Sequence, residues 1–324
     1  MRFGIVGCGL IGGKRLDALS SHRVVAVADT EPARANALAE RAGARVSASW
    51  EDVVHDPEID AVVVATTNDW LAPVALAAIE AGKHVLVEKP AARSSEELEP
   101  LIAARERRGV SVHVGFNHRF HPALRDAHRI VHDDGLLPLM FVRGRYGHGG
   151  RLGYELEWRA QKETAGGGEL IDQGIHLIDL ARWFLGDVEL IDGIARTYYW
   201  DMSVDDNAFL SLQTARGQTA WLHVSCTEWK NMFSLELYGR TAKLQIDGLG
   251  GSYGVERLTY YQMRPEMGPP DTTIWEYPGA DSSFRLECES FVAAAEQGTP
   301  TAATLEDAKA ALDIVGRVYQ SAGL

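Results

Sequence analysis

The sequence is poor in cysteine, and the few it has do not pair. Cys8, Cys226 and Cys288 are odd in number, far apart and outside any CxxC motif. Neither a disulfide framework nor a zinc knuckle is supported. Lysine is scarce too, with seven among the 32 basic residues. No apolar run approaches the roughly 18 to 20 residues that span a bilayer. There is no internal repeat and no low-complexity tract. Cations are outnumbered: 45 acidic against 32 basic residues give a formal net charge of −13. That balance repels nucleic-acid phosphates and anionic membranes, so neither is expected as a partner. No charged and apolar leader stands between Met1 and the apolar run Phe3-Gly4-Ile5-Val6, and the chain is therefore expected to be cytoplasmic.

What is present reads as a globular chain. A hydrophobic fraction of 46% and a charged fraction of 24% suit real cores, and 324 residues suit two domains. Short β-branched runs at 3–6, 24–28, 61–65, 84–87 and 110–114 alternate with helical periodicity at 32–42, 71–81 and 94–108. Val62-Val63-Val64 is polar on neither side, as a parallel strand covered on both faces should be. The βαβαβ order predicts a doubly wound parallel sheet, a Rossmann domain over residues 1–118.

Past residue 118 the pattern changes. A helix is expected from Pro122 to about Asp134. Long strand-like runs then follow at 139–146, 190–199, 207–213, 219–227, 233–238, 243–247 and 256–261. Helices are expected at 169–184, 283–296 and 305–319. Residues 119–324 thus read as an α+β domain with a largely antiparallel open sheet, in which 151–165 is the one long irregular stretch.

Gly7-Cys8-Gly9-Leu10-Ile11-Gly12 matches GxGxxG directly after the first strand and at the start of a helix, the context that makes the motif informative. Gly7 permits the turn, Gly9 lets the backbone approach a pyrophosphate at the helix N-terminus, and Gly12 allows close packing. Asp29 ends the second strand about 20 residues later, where an acid grips the adenosine ribose. At an effective dielectric of about 20, its charge beside a 2′-phosphate about 4 Å away would cost about 4 kcal/mol, which selects NAD over NADP. A helix N-cap is the rival role for Asp29. Thr66-Thr67-Asn68 places polar groups at the carboxyl edge of the sheet, where ligands bind and where an ordinary turn would also use them.

Glu88-Lys89-Pro90 ends another strand. Lys89 should sit at the same edge, as a proton partner for a reacting hydroxyl or as a solvated lysine beside glutamate. Gly166-Gly167-Gly168 leads into Glu169-Leu170-Ile171-Asp172-Gln173-Gly174-Ile175-His176-Leu177-Ile178-Asp179. Spacing of i, i+4, i+7 puts Asp172, His176 and Asp179 on one face of an otherwise apolar helix. Histidine is the natural base for a hydroxyl proton and aspartate can orient it. A structural histidine and an acid at a helix N-terminus are the plain alternatives. No further His or Cys lies nearby to complete a metal site, so no metal is expected. The three glycines either admit a ligand to the backbone or form a flexible lead-in.

Taken in order, these motifs resemble the glucose–fructose oxidoreductase, inositol dehydrogenase and rhizopine-catabolism (Gfo/Idh/MocA) family. The resemblance also rests on Ala81-Gly82-Lys83-His84-Val85 and Gly115-Phe116-Asn117-His118-Arg119-Phe120, and it spans essentially the whole chain. It implies that Lys89 contacts nicotinamide and the reacting hydroxyl, and that Asp172 and His176 complete the catalytic set with His176 as base. The candidate cofactor contacts are then Gly7, Gly9, Leu10, Ile11, Gly12, Asp29, Thr66, Asn68, Glu88, Lys89 and Asn117. The candidate substrate contacts are Lys89, Arg119, Tyr154, Trp158, Arg159, Asp172 and His176. Thr67 and Leu71 depart from the family's usual proline and histidine. The open face of the C-terminal sheet is expected to form a homo-oligomer, dimer or tetramer.

The implied activity is hydride transfer between NAD and a secondary alcohol carbon of a sugar, amino sugar or cyclitol ring. Tyr154, Trp158 and Arg159 beside Glu155 and Glu157 point to a complex or activated ring, with the acids holding ammonium groups. Packing of that loop on a neighbouring subunit is the plain alternative. Two other readings are a glycosidase of the same family that retains NAD, and a non-catalytic NAD-dependent regulator. Retention of Lys89, Asp172 and His176 together argues against the regulator.

Overall fold

The structure, a computed structural model, describes residues 1–132 and 139–324. The chain forms two compact units. The first comprises Met1–Phe116, Glu163–Gly166 and Phe284–Asp313, and the second Asn117–Lys162, Gly167–Ser283 and Ile314–Leu324. Among the described residues, no helix is long and apolar enough to cross a membrane.

In the first unit, strands and helices alternate: β1 (Arg2–Val6), α1 (Leu10–Ala18), β2 (Arg23–Ala28), α2 (Pro32–Ala42), β3 (Arg45–Val46), α3 (Trp50–His55) and β4 (Ala61–Val64). Then come α4 (Asn68–Glu80), β5 (His84–Glu88), α5 (Glu99–Arg108) and β6 (Val112–Gly115). All six strands are parallel, in the order β3-β2-β1-β4-β5-β6. The order reverses between β1 and β4, which opens a crevice at the carboxyl edge. Val62, Val63 and Val64 are fully buried, as their lack of alternation predicts. The two-residue β3 and the short α3, closed by a capping box between Ser49 and Asp52, lie below what periodicity can detect.

In the second unit α6 (Pro122–His132) precedes β7 (Leu139–Gly147), and residues 133–134 of the expected helix lie outside the described residues. The irregular stretch holds two 3₁₀ turns and then the four-residue α7 (Lys162–Ala165), which from Glu163 onward belongs to the first unit. A π turn (Leu170–Gly174) runs into α8 (Ile175–Leu185). The remaining strands are β8 (Glu189–Arg196), β9 (Asn207–Gln213), β10 (Thr219–Ser225), β11 (Met232–Gly239), β12 (Ala242–Asp247), β13 (Glu256–Gln262) and β14 (Asp271–Tyr277). Their order is β14-β13-β12-β11-β7-β10-β9-β8, antiparallel except for the parallel pair β7 and β10. Inward residues such as Val142, Leu222, Leu235 and Leu244 are fully buried, while Phe141, Ile194, Trp221 and Ile274 stand exposed. That alternation is the mark of a sheet with one covered face.

Two expectations need correction. The strand expected over 190–199 stops at Arg196, because the amides of Tyr198, Tyr199 and Trp200 donate to the Asp206 carboxylate at 2.9, 2.7 and 3.1 Å instead of to a ladder. Strand β14 was not expected, since nearly all its residues are exposed and no burial pattern marks it. After it come α9 (Ser283–Gln297) and α10 (Leu305–Ala322). From Phe284 onward α9, and α10 as far as Asp313, belong to the first unit, where Cys288, Phe291 and Val292 join Phe3, Ile5 and Val27 in one core.

Candidate active site

At the carboxyl edge of the parallel sheet, the glycine turn is built by close approach. A Cβ on Gly7 would lie 2.3 Å from the Ala65 carbonyl oxygen, and one on Gly12 would lie 2.0 Å from that of Gly7. Only hydrogen fits at either place. At Gly9 a Cβ would meet nothing within 4 Å, so protein leaves this backbone uncovered. Gly9 is also the N-cap of α1 and offers no side chain to the first-turn amides. Free amides at a helix start attract an anion, and this arrangement fits a dinucleotide pyrophosphate. Leu10 is largely exposed and Ile11 half-buried beside it.

Asp29 is half-buried after β2. Its Oδ2 accepts the Cys8 amide at 2.7 Å and its Oδ1 the Glu31 amide at 2.8 Å. The carboxylate thus bridges the glycine turn and its own loop, and its remaining lone pairs suit ribose hydroxyls. Glu31, not Asp29, is the N-cap of α2, which answers the rival role. Beyond β4, Thr66 Oγ1 donates to the Thr67 carbonyl at 3.1 Å and Thr67 Oγ1 to Asp69 at 2.6 Å. Asn68 is buried, and its amide donates to the Ala165 carbonyl at 2.8 Å.

Lys89 follows β5, and its peptide to Pro90 is cis. Strands β1, β4 and β5 are neighbours. Lys89 therefore lies two strand spacings, about 10 Å, from the glycine turn along the sheet edge. The Glu88 carboxylate, a candidate cofactor contact, is held elsewhere: Arg15 Nε donates to its Oε1 at 2.6 Å. Burial pushes Glu88 above the ordinary carboxylate range, against the pull of Arg15. Burial works the same way on Glu287, but Arg15 and His113 outweigh it and hold that carboxyl low.

In the second unit, Asn117, His118 and Arg119 share a buried 3₁₀ turn. The Asn117 amide donates to Ser283 Oγ at 2.9 Å. Arg119 forks onto Asp179, with Nε to Oδ2 at 2.9 Å and Nη2 to Oδ1 at 2.5 Å. The His118 ring stacks on that of His176, centroids 3.8 Å apart. Arg159 Nε stands 3.3 Å from Asp172 Oδ2, and its guanidinium lies over the Trp158 ring. Asp172 thus meets Arg159, His176 meets His118, and Asp179 meets Arg119. The π turn runs directly into α8, so the regular α-helical register begins at Ile175, between Asp172 and His176.

The three glycines are packing positions, not a loose lead-in. A Cβ on Gly166 would come within 2.8 Å of Arg93, on Gly167 within 2.3 Å of the Tyr319 hydroxyl, and on Gly168 within 2.0 Å of the Asp205 carbonyl oxygen. Asp205 accepts the Gly168 and Leu170 amides at 3.0 and 2.8 Å, capping the turn that carries Asp172. Tyr154 is buried against His148 and Trp200. Glu157 is bonded to Arg151 at 2.8 Å.

Sequence reasoning missed Glu169 and His148. The Glu169 carboxyl is wholly buried, and His148 Nε2 stands 3.5 Å from its Oε2. The Gly150 amide donates to His148 Nδ1 at 3.0 Å, so the ring hydrogen is on Nε2, toward Glu169. Burial, together with the charges of Asp172 and Asp205, pushes Glu169 up to about 7 against the opposing pull of His148. An acid inside so apolar a run was the available signal. Among the described residues, no group of three or more His, Cys, Asp or Glu side chains could hold a metal ion.

Residues 1–116 match the family model described as an oxidoreductase family with an NAD-binding Rossmann fold (GFO_IDH_MocA), and residues 124–245 match the GFO/IDH/MocA C-terminal domain. Inositol 2-dehydrogenase 2 of Saccharopolyspora erythraea is 30% identical over 326 residues, 95% of this chain and 88% of that protein. The chain belongs to the Gfo/Idh/MocA oxidoreductase family. Levoglucosan dehydrogenase of Pseudarthrobacter phenanthrenivorans is 33% identical over 194 residues, 59% of this family member and 50% of that protein. A solved levoglucosan dehydrogenase in complex with NADH shares the fold, with a TM-score of 0.90 at 22% identity over 100% of this chain and 97% of that one.

Proposed function

We propose that this chain is an NAD-dependent dehydrogenase interconverting a secondary alcohol and a ketone on a sugar or cyclitol ring. The observation that carries this reading is the edge of the parallel sheet. Asp29, the uncapped amides after Gly9, and Lys89 stand at the ends of β2, β1 and β5, in the order that ribose, pyrophosphate and nicotinamide require. Membership of a family that includes inositol and levoglucosan dehydrogenases supports a polyhydroxylated ring as substrate.

When bound, NAD supplies the hydride acceptor or donor. Lys89 donates a hydrogen bond to the oxygen of the reacting hydroxyl. His176 takes the hydroxyl proton during oxidation and returns it during reduction. Asp172, faced by Arg159, holds neighbouring hydroxyls of the ring. Glu157 is bonded to Arg151, which leaves Glu155 as the acid available to an amino-substituted ring. Asp29 favours NAD over NADP, and the exposed apolar residues on the open sheet face support a homo-oligomer built through that face.

Lys89→Ala tests the reading. Turnover should fall by about 10²- to 10⁴-fold while NAD affinity measured by calorimetry is retained. A loss of about threefold would remove Lys89 from the chemistry.

A further inference from the structure

Three elements of the first unit meet on one guanidinium. Arg15 lies on α1, within a turn of Gly12, and its side chain is fully buried. Nε donates to Glu88 Oε1 and Nη1 to Glu287 Oε2, both at 2.6 Å. Glu88 is the last residue of β5, and the next is Lys89. Glu287 comes from α9, and its other oxygen meets His113 of β6 at 3.1 Å. The ring of Phe284 closes one side, 4.7 Å from the guanidinium carbon. On β6 only glycine fits at position 115, where a Cβ would come within 2.9 Å of both Arg15 Nη2 and Glu88 Oε2.

A cation buried with two carboxylates is a poor device for stability alone, because apolar groups of the same volume often serve as well or better. Its distinctive property is geometry. The planar fork bonds two carboxylates in fixed directions, which a lysine ammonium does not. Here the fork fixes the end of β5 against the helix that starts at the glycine turn. Those two places carry Lys89 and the uncapped amides. Misplacement of a reacting group by about 1 Å can cost about 10²-fold in rate, so the registration matters.

We propose that Arg15 is a positioning residue, which by holding Glu88 sets where Lys89 stands relative to the dinucleotide. The proposal rests on the role given to Lys89 above. It concerns Arg15, Glu88 and Glu287, none of which need touch the cofactor.

The test follows Lys89 itself. With seven lysines in the chain, reductive dimethylation of each can be followed by peptide mass spectrometry, with and without NAD. Glu88→Gln and Arg15→Lys are compared with Leu101→Ala, a buried change on α5 outside the network. In the natural protein NAD should slow labelling of Lys89. In Glu88→Gln and Arg15→Lys that protection should fall by at least about threefold, while the NAD Kd from calorimetry moves by less than about threefold. Leu101→Ala should lower the melting temperature and leave protection intact. If Arg15→Lys does not fold, the nearly isosteric Glu88→Gln carries the test. Protection within about twofold of the natural protein in Glu88→Gln would overturn the proposal, as would an equal loss in Leu101→Ala. Absence of NAD protection in the natural protein would overturn both the proposal and the reading of Lys89. Protection there that survives in the variants overturns the proposal alone.

Discussion

The imidazole of His176 lies face to face with that of His118, ring centroids 3.8 Å apart and planes 22° from parallel. Both rings are buried, and Tyr146 closes on the pair at 5.1 Å from His118 and 6.3 Å from His176. The stack holds the His176 ring plane, which the base proposed above must keep to meet a hydroxyl proton in line. His176→Ala should lower turnover by about 10²- to 10⁴-fold. His118→Phe keeps an aromatic face against the imidazole and should cost less than about tenfold. Steady-state kinetics on the two variants check this, and equal losses would mean that His118 does more than support the ring.

In the proposed function Asp29 carries the choice of cofactor. Its carboxylate is fixed by the Cys8 and Glu31 amides, so it cannot swing away from a 2′-phosphate without breaking both bonds. Calorimetric titration should show NAD bound far more tightly than NADP, consistent with a repulsion of about 4 kcal/mol. Asp29→Ser should narrow the gap. Equal affinities in the natural protein would mean that Asp29 does not face the ribose.

Glu169 makes stability depend on pH in an unusual direction. Burial raises its folded-state value to about 7, above the ordinary carboxylate range of an unfolded chain. The folded state therefore binds this proton more tightly. The cost of the buried carboxyl is absent below the unfolded value, grows as pH rises, and is complete above about 7. By linkage that cost is about 3 kcal/mol. Urea denaturation of Glu169→Gln should show a gain over the natural protein at about pH 8 that disappears near about pH 4. A gain independent of pH would show that Glu169 does not titrate as described.

The Arg119–Asp179 fork is a buried ion pair with both side chains almost wholly covered. Asp179→Ala leaves a buried guanidinium without its principal carboxylate and should cost about 3–5 kcal/mol in chemical denaturation. A cost below about 1 kcal/mol would place the pair with weak surface bridges.

The first unit was legible because its signals are local. A glycine turn after a strand, an acid at the next strand end and an unalternated Val62-Val63-Val64 all sit within a few residues of the structure they specify. The parallel pairing of β7 with β10 was not legible, since partners distant in sequence leave no local pattern. The destination of α9 was hidden for a related reason. Phe284, Cys288 and Phe291 predict a buried helical stripe but not which sheet it covers. In the site, the spacing of Asp172 and His176 was readable and the π turn beneath it was not. That turn depends on Asp205, which lies more than thirty positions away and caps the Gly168 and Leu170 amides. Arg15 was passed over because a helical arginine is usually solvated. Its burial follows from Glu88 and Glu287, brought to it by two other elements.

The most direct test is net formation of NADH, followed by absorbance, with a panel of myo-inositol, levoglucosan, glucose, a nucleotide sugar and an aminoglycoside-like pseudosugar. The expected result is sustained NADH release with at least one polyhydroxylated ring, abolished in Lys89→Ala and His176→Ala. Glycoside cleavage without net NADH, or NAD binding with no turnover of any ring, would contradict it.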